Sequence, residues 1–343
     1  MLLHLMLNPA FALTFLDAPW VDYGTVVTTT EVPFAPNGIG APAVEWDATR
    51  SRFVMAFEFR SNVVHASCPV GVWGIGTAES VDGFIWTNFQ QIYLPDPAGM
   101  DAGTSYQCVV AHPDLIWPEN NNDAAGILFK AENGSFQGIN ALAIAYDVAG
   151  NASLSAPPNG VNLIDIPSQF GYHSFGKLTA PNYWGVIVQI GPDIYVATTN
   201  GGSPLRRLSW LLGSGLDLVL EPDPLGPAWQ QDELFDPQPY CDDSGNVAAL
   251  LGGRNYIAGG SVGLGGAAWA TEAAGVWTMD AANPVATWDN DREMRHWSLL
   301  LTNTDDLVLW YSRKNATDPS KTEIGVMATT AAPWANPRGR SCP

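Results

Sequence analysis

The stretch WGIGTAESVDGFIWT, from Trp73 to Thr87, decides the fold. Small and polar residues alternate up to Ser80, the chain turns at Asp82-Gly83, and the large residue Trp86 follows. An Asp-Gly step between alternating segments is a strong hairpin signal, because glycine adopts the positive φ that tight turns require. The stretch therefore predicts two antiparallel strands. In this hairpin Asp82 accepts hydrogen bonds from turn amides and Trp86 packs inside.

Related segments recur along the chain, which indicates a repeated β unit. Four further strand-and-turn segments resemble the quoted one and begin at Leu142, Ile194, Gly275 and Ile324. A second element, made of two short strands around a polar turn, precedes each copy and begins at Ala41, Ala111, Ala180, Asp236 and His296. Regular repetition of β units at this length favours a radial arrangement. The sequence therefore predicts an all-β, five-bladed β-propeller, with a six-bladed propeller and a two-sheet sandwich as alternatives.

Composition and charge limit the partners. Of the 343 residues 46% are hydrophobic, and the 34 glycines, 26 prolines and 14 tryptophans are typical of short strands, many turns and large buried plugs. The net charge is −19 with only 15 Lys and Arg residues, which leaves no basic surface to neutralise phosphates. We therefore expect no nucleic-acid partner. No stretch approaches the roughly 18 continuous apolar residues of a membrane span, so we expect no membrane insertion.

The first residues, MLLHLMLNPAFA, predict export. An apolar run is followed by Ala10-Phe11-Ala12, the small-x-small pattern that signal peptidases accept. Residues 1–12 are thus interpreted as a signal peptide, with an ordinary buried segment as the alternative, and residues 13–343 as a single propeller domain. The expected location is secreted, periplasmic or at the cell surface.

The four cysteines are even in number and show no CxxC spacing, which in an exported protein predicts two disulfides. Three pairings are possible. We expect Cys68 with Cys108 and Cys241 with Cys342, although the sequence alone does not decide between the three.

The alternation of APAVEWD and RFVMAFEF, within Ala41–Phe59, with GIGTAESVDGFIWT resembles a known group of proteins. It is similar to the five-bladed propeller glycoside hydrolases of family 43 (arabinanases and xylosidases) and family 32 (invertases and relatives). The stretch SVDGFIW is also similar to the Asp-box of sialidases, a structural hairpin. The resemblance covers residues 38–337 and rests on fold motifs. It implies an axial carbohydrate site with two Asp and one Glu at the inner-strand starts of the first three blades.

The positions that match those three carboxylates hold other residues. Ala41, His112 and Ala180, each followed by proline, stand there, and only the fourth repeat carries an Asp-Pro step, at Asp236. Glycosidic cleavage needs a pair of carboxyl groups across the scissile bond. If the register shifts by a few residues, the candidate catalytic residues are Asp236, Glu45 and Asp114.

Convergence of the repeats on one axis would bring several further side chains together. The predicted ligand-binding residues are the polar His112, Arg295 and His296 and the aromatic Trp117, Tyr183, Trp184 and Trp297. Aromatic platforms beside a few polar groups are typical of a carbohydrate site. For each residue the alternative is a structural role, as a hydrogen-bonded histidine or a tryptophan packed between blades.

The sequence thus predicts an exported propeller that binds a carbohydrate or similar polyol without its usual catalytic carboxylates. A glycoside hydrolase using displaced carboxylates and a cell-surface scaffold that binds protein remain alternatives, so enzymatic activity stays open. No cofactor is expected. The segment DNDRE at Asp289–Glu293 has the alternating carboxylates of a calcium loop but lacks its glycine and its terminal acidic residue, so a Ca²⁺ site there is only an alternative.

Overall fold

A computed structural model shows a protein whose described residues form antiparallel strands and a short 3₁₀ turn at Ala228–Gln230. It describes residues 20–104, 106–116, 126–132, 141–147, 154–155, 162–165, 175–180, 183–190, 193–200, 217–241, 247–256, 262–273, 276–280, 283–284, 286–289, 295–302, 306–332, 334 and 337. Within these ranges no helix is long and apolar enough to cross a membrane.

The strands follow one another in chain order. The first half of the chain contains β1 (Val21–Val27), β2 (Ile39–Asp47), β3 (Arg52–Arg60), β4 (Trp73–Ser80), β5 (Trp86–Tyr93), β6 (Val109–Ile116), β7 (Gly126–Glu132), β8 (Ala141–Asp147), β9 (Leu154–Ser155) and β10 (Asn162–Asp165). The second half contains β11 (Phe175–Ala180), β12 (Tyr183–Ile190), β13 (Asp193–Asn200), β14 (Asp217–Leu220), β15 (Glu233–Cys241), β16 (Val247–Tyr256), β17 (Val262–Ala273), β18 (Val276–Met279), β19 (Ala286–Asp289), β20 (Arg295–Leu301), β21 (Leu307–Lys314) and β22 (Thr322–Ala328).

These strands pair in five antiparallel meanders. The first contains β2–β5, the second β6–β10, the third β11–β14, the fourth β15–β19, and the fifth β20–β22 with β1 on its outer edge. A parallel bridge between Trp73 and Val109 joins the first two meanders. The pairing of β1 with β22 brings the two ends of the described chain into one sheet.

The first strand of each meander is its innermost strand. These five strands contact one another in a closed cycle, β2 to β6, β6 to β11, β11 to β15, β15 to β20 and β20 to β2. The prediction of an all-β propeller is confirmed, and the cycle of five inner strands is the arrangement that five blades require.

The repeat unit predicted to begin at Ala180 forms its two strands, β12 and β13, but its predicted start at an inner strand is wrong. Ala180 ends β11 and pairs with Tyr183 at the start of β12, so it lies beside a hairpin and not at the start of an inner strand. An X-Pro step favours extended backbone but is equally common at turns, and the dipeptide alone did not distinguish the two.

The hairpin quoted above forms as predicted, between β4 and β5. Asp82 Oδ1 accepts hydrogen bonds from the amides of Phe84 and Ile85, each at 2.8 Å. Gly83 has a φ of 76°, in the left-handed region, and Trp86 is buried. The turn is therefore held by one carboxylate and one glycine.

Asp82→Ala should destabilise the protein in a pH-dependent way. Burial alone would raise the pKa of Asp82, but the amides of Ile85 and Phe84 and the Ser80 hydroxyl lower it below its ordinary value. A lowered pKa contributes stability above the unfolded-state value of about 3.9, and this stability is lost as the pH falls through the folded-state pKa. Urea unfolding should give a loss of about 1–2 kcal/mol at pH 7. The difference between the variant and the wild type should shrink near pH 3.

Aromatic side chains fill the space between neighbouring sheets, as the tryptophan content predicts. Phe53 on β3 and Trp310 on β21 lie with ring centroids 5.6 Å apart, and Trp334 lies 6.0 Å from Trp310. All three are buried, and Trp310 Nε1 donates a hydrogen bond to the carbonyl of Gly83 at 3.0 Å. The fifth meander is therefore packed against the hairpin of the first.

One of the two expected disulfides is present among the described residues. Cys68, in the β3–β4 loop, is bonded to Cys108, directly before β6, with 5.4 Å between the Cα atoms. Cys342 lies outside the described residues, so its pairing with Cys241 stays a prediction.

Candidate functional site

Four inner strands carry the same irregularity near their N-terminal ends. Ala41, His112, Asp236 and His296 have φ values between 45° and 49° although none is glycine, and the strand register shifts at each of them. This conformation is unfavourable for residues with a Cβ and persists only where the surroundings hold it. The four residues therefore occupy one repeated structural position, here called the bulge position. The described residues of the third meander show no residue in this conformation.

The four bulge positions surround a small depression where the inner strands meet. It is lined by Ala41, Pro42, His112, Pro113, Asp236, Gln238, His296 and Trp297. Half of this lining is polar, and the depression is the candidate functional site.

The backbone N–H at a bulge position is capped by a side chain from the preceding meander. Ala41 N donates to Ser312 Oγ at 2.7 Å, and His112 N donates to Glu58 Oε2 at 3.1 Å. Ser312 and Glu58 are equivalent, because each is paired opposite the residue that precedes the bulge position in its own meander. In the fourth meander the equivalent residue is Gly252, which has no side chain that could accept a hydrogen bond from the next bulge position.

Asp236 takes the place of Gly252 and caps the backbone N–H of His296, the bulge position of the fifth meander. His296 N donates to Asp236 Oδ2 at 2.6 Å, and His296 Nδ1 lies 3.1 Å from Oδ1 of the same carboxylate. Both carboxylate oxygens therefore contact one histidine. Asp236 is 3% exposed, and this arrangement fixes the position of the His296 ring more than it offers a carboxylate to a ligand.

The two histidines of the depression are in contact with each other. The ring centroids of His112 and His296 are 4.0 Å apart with the planes tilted by 44°. Glu58 Oε2 is 3.7 Å from Nε2 of His112. A carboxylate, two imidazoles and a second carboxylate thus follow one another from Asp236 to Glu58.

The chain was compared with known protein families, curated sequences and solved structures, and only solved structures are similar to it. No family model matches the sequence, and no curated protein sequence matches it. A glycosyl hydrolase from Bacteroides ovatus is 11% identical, with 92% of this chain and 91% of that chain covered and a TM-score of 0.59. The chain has the propeller fold of glycoside hydrolases.

Two further solved structures support the same assignment of the glycoside hydrolase-type propeller. The α-L-arabinofuranosidase from Podospora anserina, solved with cellotriose, is 13% identical over 93% of this chain and 99% of that chain, with a TM-score of 0.55. The β-1,2-mannobiose phosphorylase from Listeria innocua, solved with β-1,2-mannobiose, is 12% identical over 90% and 96%, with a TM-score of 0.58. At such identities the likeness establishes the fold alone.

Two of the predicted carboxylates lie elsewhere in this propeller. Glu45 and Asp114 are buried, and neither is among the residues that line the depression. Asp114 lies two residues after a bulge position, as do Gln238 and Ser298. Gln238 Oε1 accepts an N–H of β20 at 3.4 Å, and Ser298 Oγ accepts an N–H of β2 at 2.8 Å. The register position of Asp114 is thus one from which side chains bond the next sheet.

Of the four predicted aromatic platforms, Trp297 is the one whose side chain the structure describes, and it lines the depression. Its indole is buried, packs against Phe235 and donates Nε1–H to the carbonyl of Asp236 at 2.9 Å. Tyr183 and Trp184 are the first residues of β12, at the turn between β11 and β12, and the structure describes only their backbone.

Two further predicted site residues also fall partly or wholly outside the described residues. Trp117 is not described, and of Arg295, which opens β20 directly before His296, only the backbone is described. Glu58 was not among the site residues predicted from the sequence. A single charge inside the apolar run RFVMAFEF was the available signal, because a buried carboxylate needs partners.

The described part of the chain offers no cluster of three His, Cys, Asp or Glu side chains that could hold a metal ion. The calcium-loop alternative concerns residues 289–293, of which only Asp289 is described.

Proposed function

We propose that the depression binds a carbohydrate or a similar polyol and that the protein does not hydrolyse it with the usual carboxylates. The observation that carries the proposal is the convergence of His112, Asp236, Gln238 and His296 on one depression, at the inner-strand ends of a glycoside hydrolase-type propeller. Imidazole and amide groups both donate and accept hydrogen bonds, which suits a ligand covered with hydroxyl groups.

The positions of the carboxylates count against hydrolysis. Hydrolysis requires two carboxyl groups that flank the glycosidic bond. Ala41 and His112 occupy the first two positions that the family resemblance assigns to carboxylates, and both oxygens of Asp236 contact His296. A glycoside hydrolase with displaced carboxylates is therefore the weaker alternative.

Export forms part of the proposal. A buried disulfide, Cys68–Cys108, is typical of proteins that fold in an oxidising compartment, and the N-terminal segment resembles a signal peptide. We propose that the protein acts outside the cytoplasm, as a secreted, periplasmic or surface protein.

Isothermal titration calorimetry of the purified chain against arabino-, xylo-, manno- and fructo-oligosaccharides tests this function. The expected result is heat that saturates for at least one oligosaccharide and then stops. Heat that continues until the sugar is consumed would show turnover and overturn the non-hydrolytic part. The absence of binding to every sugar would refute the carbohydrate site.

His296→Ala should weaken binding of the tightest oligosaccharide by about tenfold or more. The variant removes an imidazole that lines the depression, and one lost hydrogen bond of about 1.4 kcal/mol corresponds to a tenfold change. The matched control is His65→Ala, because His65 lies in the β3–β4 loop and bonds Ser67 there. Equal affinities for the two variants would show that the ligand binds elsewhere.

A further inference from the structure

Glu58 on β3 is a buried carboxylate behind the depression and is not part of its lining. We infer that Glu58 is a positioning residue: it holds the His112 backbone at the bulge position and orients the His112 imidazole toward the ligand. This inference rests on the proposed function, because it assigns Glu58 to the same site.

The backbone part of this role follows from the cap. Glu58 Oε2 accepts the N–H of His112 at 3.1 Å, and His112 has a φ of 49°. A left-handed residue that is not glycine needs such support from its surroundings. The equivalent cap in the fifth meander, Ser312, shows that the hydrogen bond can be made by a neutral hydroxyl. Holding the bulge therefore does not by itself require a charge.

The charge of Glu58 has a second use at the ring. The oxygen that caps the backbone also lies 3.7 Å from Nε2 of His112. A carboxylate facing one imidazole nitrogen favours a proton on that nitrogen and so selects the tautomer. Asp236 acts in the same way on Nδ1 of His296, at 3.1 Å. The two contacting rings are thus held by carboxylates through opposite nitrogens.

Glycine at position 40 leaves the space for this arrangement. A Cβ built on Gly40 would lie 2.9 Å from Ser312 Oγ and 3.6 Å from Glu58 Oε1. The caps of two adjacent bulge positions therefore meet at this residue. A side chain at position 40 would clash with Ser312 Oγ, the nearer of the two capping groups.

The titratable and charged groups around His112 come from five strands. Glu58 faces it from β3, His296 contacts it from β20, and Asp236 holds that ring from β15. Lys130 on β7 is buried and paired opposite the residue before His112, and Asp114 follows on β6 itself. Removing the charge of Glu58 takes away the carboxylate that faces Nε2 of His112, while Lys130, Asp114 and Asp236 keep their charges, so protonation of His112 becomes less favourable.

The test compares Glu58→Gln with Glu58→Ala. The glutamine keeps an oxygen that can cap His112 N but has no charge, whereas alanine removes both functions. We expect Glu58→Gln to keep the wild-type urea midpoint. Its His112 resonance, followed by NMR of ¹⁵N-labelled imidazole, should titrate at a lower pH than in the wild type. The pH profile of affinity for the tightest oligosaccharide of the panel should shift in the same direction. Glu58→Ala should lose stability in addition.

The matched control is Glu323→Gln, because Glu323 is also a buried carboxylate but bonds Thr25 and Asn315 at the β21–β22 end of the fifth meander. It should leave the titration of His112 and the pH profile unchanged. If Glu58→Gln also leaves both unchanged, Glu58 is only a structural cap and the inference is overturned. The NMR titration needs no ligand, so a wild-type protein that binds no oligosaccharide would refute the proposed function and still leave the positioning role decided.

Discussion

Replacing Cys68 and Cys108 together with alanine should lower the free energy of unfolding by about 4 kcal/mol, the value expected when a cross-link spanning 40 residues is removed from the unfolded chain. The disulfide fastens the β3–β4 loop to the start of β6, four residues before His112. Urea denaturation followed by tryptophan fluorescence gives the measurement. The midpoint should fall, and the denaturant dependence should rise as the unfolded chain expands.

The single variant Cys68→Ala is the control for lost packing. Both cysteines are buried, so alanine also removes side-chain contacts, but the single variant loses the cross-link while keeping the Cys108 side chain. It should therefore lose nearly as much stability as the double variant. A loss below about 1 kcal/mol in both variants would mean that the loops are held mainly by other contacts, such as the hydrogen bond from Trp73 N to the Cys108 carbonyl at 2.9 Å.

The sheets were predictable because their signals are local. The turn at Asp82-Gly83 formed as expected, since an Asx-type turn and a positive-φ glycine are decided by adjacent residues. The predicted start of the third repeat was wrong because it also rested on a local signal. Ala180-Pro181 satisfies a local rule for two different structures, and only the pairing of β11 with β12 separates them.

The sequence predicted several residues of the candidate site but not the hydrogen bonds that hold them. His112, Asp236 and His296 were expected near one axis, and the structure brings them to one depression. The side chains that cap the bulge positions His112 and Ala41 are Glu58 and Ser312, and both come from the second strand of the preceding meander, far away in sequence. Such contacts depend on how neighbouring sheets align, and no periodicity within one strand reports that alignment.

Gly83→Ala should be among the most damaging single substitutions in the first meander, with a loss of about 3 kcal/mol. The left-handed φ of 76° costs a residue with a Cβ roughly 1–2 kcal/mol. The new Cβ would also lie 3.0 Å from Trp310 Cζ2 and 3.2 Å from Trp334 Cε3. These indoles are buried side chains in a packed aromatic cluster, so overpacking adds about 1–3 kcal/mol. Urea denaturation at pH 7 measures the loss.

Gly103→Ala separates the two causes. Gly103 has nearly the same φ, 78°, but a Cβ there would meet no atom within 4 Å. This variant should therefore lose only the backbone contribution, about 1 kcal/mol. The difference between the two variants then measures how firmly Trp310 and Trp334 are held against the turn. If both lose the same stability, the indoles move aside at little cost, and the hydrogen bond from Trp310 to the Gly83 carbonyl does not fix the fifth meander on the first.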